Sequence, residues 1–180
     1  MTTSEIHNIC KKYGILQYII NSDMSISVDG YVDLSGKNLK SLPIKFKEVG
    51  DFYCSNSQLT SLKYCPETVG GGFYCSNNHL TSLEYCPGTV GGDFWCSYNQ
   101  ITNFDGLPEF FEQPIYLLGN PVYEIYKLFK RDPRCIYWIR EFDAIQGDEV
   151  VRDRLEEVFH TLGMDIPKDI SLRNYEIINY

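Results

Sequence analysis

Between residues 32 and 122 the apolar side chains return at a nearly fixed interval. Phe52-Tyr53-Cys54-Ser55, Phe73-Tyr74-Cys75-Ser76 and Phe94-Trp95-Cys96-Ser97 are spaced by 21 residues, and the next step reaches Ile115-Tyr116-Leu117-Leu118. Twenty residues before Phe52 stands Val32-Asp33-Leu34-Ser35. Downstream positions keep step: Leu39, Leu59, Leu80, Ile101 and Val122, then Leu42, Leu62, Leu83 and Phe104. Asn78, Asn99 and Asn120 share one position, which Lys37 and Ser57 hold in the earlier units. A unit this short cannot bury its own apolar face, so the pattern predicts a stack in which neighbours share one core.

Within each unit the alternation has period two, which predicts a strand. Phe52 and Cys54 share one parity, Tyr53 and Ser55 the other, and only the first is apolar in every unit. Phenylalanine and thiol are therefore expected inside, tyrosine and tryptophan outside. The repeated asparagine has donors and an acceptor to satisfy backbone where the chain leaves each strand. Gly70-Gly71-Gly72 and Gly91-Gly92 read as tight corners that need a permissive backbone.

The flanks lose this interval. Residues 3–13 read as a helix with Ile6, Ile9 and Cys10 on one face and Gly14 as its stop. Ile15–Ile20 and the stretch from Met24 to Val28 read as a hairpin turning at Asn21-Ser22-Asp23, leading into a first rung at Tyr31–Leu34. Beyond Pro121, Val122, Ile125, Tyr126 and Phe129 are helically spaced, as are Ile136, Ile139 and Phe142. A third helix is expected with Asp148 as its cap, Val151, Leu155, Val158 and Leu162 on one face, and Gly163 as its end. Ile170–Tyr180 is open between a returning strand and irregular chain.

The unit apolar-x-apolar-x-x-Asn-x-apolar resembles the leucine-rich repeat in its shortest form. Cysteine stands where leucine is usual at 54, 75 and 96, and the first two units lack the asparagine. With "GYVDLSGKNLKSLPIKF" before the array and "NPVYEIYKLF" after it, the chain is similar to leucine-rich-repeat proteins of tailed bacteriophages and large DNA viruses. The resemblance implies an α/β solenoid with a curved parallel sheet. Residues 1–31 would form a helix-and-hairpin cap, 32–122 an array of about five units, and 123–180 a helical cap. It also implies a small protein of the host cytoplasm without a shared activity.

Charge narrows the partners. A formal net charge of −8 disfavours nucleic acid and anionic membrane, because both attract basic surfaces. No signal-peptide pattern opens the sequence and no apolar run reaches membrane-spanning length, so the cytoplasm is the expected compartment. Thiols stay reduced there. Cys54, Cys75 and Cys96 then read as a buried row of small hydrophobes rather than a zinc site, which needs four convergent ligands. No cofactor or metal is implied, and no nucleophile–base pair or phosphate-cradling loop stands out.

The outward parity carries the candidate site. Asp33, Tyr53, Tyr74, Trp95 and Tyr116 form one row, Ser35, Ser55, Ser76, Ser97 and Leu118 another, and Asp51 and Asp93 stand at the strand starts. Tyrosine and tryptophan suit protein-binding surfaces because they bury much area with few rotors. The expected function is recognition of a protein partner through this concave stripe, without catalysis. With the viral resemblance, the partner is a host protein and the role inhibition of a host defence or regulatory factor. The competing account of the stripe is a ladder that only stabilises neighbouring strands. Two alternative functions are a glycan- or peptide-binding module, and an enzyme resembling bacterial leucine-rich-repeat ubiquitin ligases. In the latter Cys135, near Arg131, Arg134 and Arg140, would be the nucleophile.

Overall fold

In the computed structural model, which describes residues 1–107 and 114–179, the repeating stretch winds into a parallel-strand β-solenoid of about four turns. Ahead of it, α1 (Thr3–Tyr13) opens on Thr2: the Thr2 hydroxyl accepts the Glu5 N–H, and the Glu5 carboxylate accepts the Thr2 N–H. It ends at Gly14 in the left-handed conformation, φ 68°. β1 (Tyr18–Ile20) pairs antiparallel with β2 (Ile26–Asp33). The return arm of the hairpin and most of the first rung are therefore one continuous strand.

β3 (Phe46–Tyr53) is as long as β2. After it each turn breaks in two at glycine, giving β4 (Thr68–Val69) and β5 (Phe73–Tyr74), then β6 (Thr89–Val90) and β7 (Phe94–Trp95), before β8 (Ile115–Tyr116). One parallel ladder runs through Val32, Phe52, Phe73, Phe94 and Ile115. A second runs through Val49, Val69 and Val90. Between the ladders, backbones of successive turns nearly touch. A Cβ on Gly50 would lie 2.5 Å from the Gly30 carbonyl oxygen, and one on Gly92 would lie 2.8 Å from the Gly71 carbonyl carbon. The glycines at 70–72 and 91–92 do not have positive φ. Close approach, rather than the expected corner geometry, distinguishes Gly91 and Gly92, which meet the backbone of Gly70 and Gly71, and Gly71 and Gly72, which meet the side chains of Asp51 and Tyr74; Gly70 has room for a Cβ.

The inward parity is as expected: Phe52, Cys54, Phe73, Cys75, Phe94, Cys96, Ile115 and Leu117 are all buried. Each asparagine ties its own turn to the one before it. The Asn99 side-chain oxygen accepts the Leu80 N–H at 3.1 Å, while its amide donates to the carbonyls of Cys75 and Cys96, each at 3.1 Å. Asn78 and Asn120 repeat the arrangement one turn either side. Buried backbone groups that the strands leave unpaired are satisfied this way. Just before the asparagine position, which Lys37 and Ser57 hold in the first two units, the backbone turns left-handed in every unit, at Gly36, Asn56, Asn77, Tyr98 and Gly119.

Beyond the array come α2 (Tyr123–Leu128), α3 (Arg134–Glu141), β9 (Ile145–Gln146), β10 (Glu149–Val151), α4 (Arg152–Thr161) and β11 (Glu176–Ile178). The expected third helix starts three residues late. Asp148 is not its cap; it sits in a hairpin that turns at Gly147, φ 67°, and joins β9 to β10. β11 adds to β10 in parallel, so Ile170–Tyr180 returns as a strand only over Glu176–Ile178, with Tyr180 outside the described residues. This region shares the array's core, with Phe104 edge-on to Tyr126, and Arg140 donates to the Leu107 carbonyl at 2.9 Å.

Candidate functional site

The outward row forms stacked pairs. Tyr53 and Tyr74 lie 4.6 Å apart and 3° from coplanar, Trp95 and Tyr116 4.1 Å apart and 21° from coplanar. These rings come from neighbouring strands, so their faces point along the stack and their edges point away from the sheet. The stacked faces support the ladder, and the edges remain on the surface, with Trp95 38% exposed and the three tyrosines half-buried.

The acidic residues are partly committed inside the protein. Asp33 is exposed but accepts the Ser35 N–H at 2.9 Å. Asp51 accepts the Gly72 N–H at 2.7 Å. Gly72 stands where Asp51 and Asp93 stand in the adjacent units, because the Tyr74 ring occupies that space: a Cβ there would meet its Cε2 at 2.5 Å. Burial, then Tyr53, Asp93 and Asp51, pushes the Tyr74 phenol above its ordinary range.

The serine row departs from expectation. Ser35 and Ser55 are half-buried, Leu118 is exposed, but Ser97 is only 7% exposed. The Ser76 hydroxyl is enclosed and lacks a hydrogen-bond partner among the described residues. The outer strands hold only two residues, and each serine lies past the strand end, just before the left-handed turn. Period-two alternation no longer governs it there.

Sequence reasoning missed what borders the stripe at its C-terminal end. Trp95, Tyr116, Ser76 and Ser97 line a cleft of about 580 Å³ together with Tyr98, Leu118, Tyr123, Tyr126 and Arg131. Tyr98 is 56% exposed at φ 56°, in a column otherwise held by glycine and asparagine. A left-handed conformation costs a tyrosine about 1–2 kcal/mol. Its ring lies over Gly119, where a Cβ would meet Tyr98 Cδ1 at 2.5 Å. That break in the glycine–asparagine column was the readable signal. Arg131 gave none, because only the tertiary fold brings it to the cleft. Tyr123 also lines a larger hollow of about 630 Å³, but Glu124 there already accepts the Arg173 N–H at 2.6 Å.

Cys135 lies fully buried on α3, and burial, then Asp132, pushes its thiol pKa up. Its three arginines are elsewhere: Arg134 pairs with Asp132, Arg140 with the Leu107 carbonyl, and Arg131 faces the cleft. A neutral, enclosed thiol is a poor nucleophile. Burial likewise raises Cys54, Cys65 and Cys75, and pushes half-buried Cys86 up to about 12. Among the described residues, no group of three or more His, Cys, Asp or Glu is placed to hold a metal, and no helix is long and apolar enough to cross a membrane. No protein-family model, curated protein or solved structure matches the chain.

Proposed function

We propose that this protein is a non-catalytic recognition module of the short leucine-rich-repeat type, holding a protein partner on its aromatic stripe. The observation that carries the reading is one continuous outward face of large side chains, from Tyr53 through Trp95, 38% exposed, to Leu118, 49% exposed. The repeat pattern and the asparagine ladder support the repeat type. Stacked repeats offer an extended surface better matched to a macromolecule than to an enclosed small ligand. Stacking takes one face of each of the four rings away from a sugar or other flat ligand, which favours a protein over a glycan. Under the resemblance to phage and viral repeat proteins, the partner is host-encoded, and the consequence of binding is inhibition of a host defence or regulatory factor.

The test pairs wild type with Tyr74→Ala/Trp95→Ala as baits in host lysate, followed by titration of the recovered protein. The reading expects a partner held by wild type and lost by at least about tenfold in the double variant, a cost ordinary for an aromatic hot spot. Equal retention by both baits would remove the stripe as the binding face.

A further inference from the structure

The cleft that closes the stripe at its C-terminal end differs in chemistry from the rest of it. Along the array the charges beside the aromatic row are acidic: Asp33, Asp51 and Asp93. At the cleft the charge is Arg131, on a chain of net charge −8. The other arginines nearby are spent, Arg134 on Asp132 and Arg140 on a backbone carbonyl. Among the described residues the Arg131 guanidinium has neither an ion pair nor a hydrogen bond. Lys130 and Arg131 lie consecutively in the left-handed region, at φ 54° and 63°, a conformation that side chains rarely hold twice in succession.

The aromatic rings add to this polarity. Trp95 and Tyr116 each spend one face on the other. An aromatic edge is the positive pole of the ring quadrupole, so what they offer outward complements electron-rich oxygen. The rest of the lining is apolar or amphipathic: Leu118, Tyr98, Tyr123 and the body of Tyr126. One unpaired guanidinium beside positive ring edges and an apolar wall fits a carboxylate next to a large apolar side chain.

From this juxtaposition we infer that the cleft binds a peptide segment of a protein partner carrying an aspartate or glutamate beside a large apolar residue. The carboxylate pairs with Arg131, and the apolar side chain packs on Leu118 and Tyr98. A guanidinium fork takes a carboxylate in bidentate fashion, which fixes register as well as adding affinity. The left-handed tyrosine gains a reason: glycine or asparagine would sit there more comfortably, but neither would wall the cleft. This inference rests on the reading of the stripe as a recognition surface, and supplies its specificity.

The experiment selects binders from a displayed library of random heptapeptides on the intact protein. The best sequence is then synthesised with an amidated C-terminus. Selected peptides are expected to carry an acidic residue within two positions of a leucine, methionine or aromatic residue. Arg131→Gln should weaken the synthetic peptide at least about tenfold. Replacing the peptide's acidic residue by its amide should weaken wild-type binding equally and leave the Arg131→Gln affinity nearly unmoved. Tyr98→Gly should lose affinity while the melting temperature holds or rises, which separates a contact from a folding defect. Absence of binders, binders without an acidic residue, full affinity with Arg131→Gln, or binding abolished by amidation would each overturn the assignment. Binders lost in Tyr74→Ala/Trp95→Ala but indifferent to Arg131 would leave the stripe as a recognition surface and remove only its acidic specificity.

Discussion

The array and the region after it share a core but are held together in opposite ways. In the array one solution recurs from turn to turn: an inward phenylalanine, an inward thiol, an asparagine joining two successive turns, a glycine where backbones meet. After Pro121 each contact occurs once. Phe129 stacks on Phe159 at 4.2 Å, Arg140 reaches the Leu107 carbonyl, and the Tyr175 hydroxyl donates to the Thr102 carbonyl. A repeated contact is redundant in stability and conspicuous in sequence. A unique one is neither.

Matched core truncations test that contrast most severely. Phe94→Ala and Phe159→Ala each remove a fully buried ring and should cost about 3–5 kcal/mol in urea unfolding. With one shared core, both should move a single transition. Two transitions, with Phe159→Ala shifting only one of them, would divide the molecule at Pro121. Asn99→Leu comes next. It strands the Leu80 N–H and part of the Cys75 and Cys96 carbonyls, and should cost about 3 kcal/mol by the same measurement. Gly92→Ala forces a methyl against the backbone of Gly71 and should cost about 1–3 kcal/mol.

The thiols supply a pH test. Burial raises Cys54, Cys65, Cys75 and Cys135 in the folded chain, so folding holds their protons more tightly than the unfolded state does. Their contribution is complete below the unfolded thiol pKa, about 8.5, and is lost as pH rises above it, by about 1.4 kcal/mol per thiol per pH unit. Melting temperature should fall between about pH 8.5 and 10, and Cys75→Ala should flatten that fall. A flat wild-type profile would contradict enclosed neutral thiols. The smallest effect is expected at Arg154, whose pair with Asp143 spans 2.9 Å on the surface: Arg154→Ala should cost about 0.2–1 kcal/mol.

What could be read in advance follows the same division. The inward phenylalanine–thiol parity and the shared asparagine were legible because several turns vote on each position. The β9–β10 hairpin was not, because Val151, Leu155, Val158 and Leu162 imitate a longer helix, and Gly147 reads equally as a helix stop and as a hairpin turn. The serine row was misjudged by extending strand alternation past strands that end after two residues. Gly71 and Gly72 were recognised as special for the wrong reason, since composition does not distinguish a tight corner from crowding by the side chains of Asp51 and Tyr74. At the cleft, Tyr98 was visible as the odd member of its column, whereas Arg131 required the fold.

The asparagine ladder makes the molecule modular in units of its own period. Excising residues 73–93 would place Phe94 directly after Gly72. Asn99 would then meet the Leu59 N–H and the Cys54 carbonyl that Asn78 now serves. A shortened protein of this kind should fold, whereas a cut of ten residues at the same place should not. Whole rungs could therefore lengthen or trim the aromatic face while leaving both ends of the chain untouched.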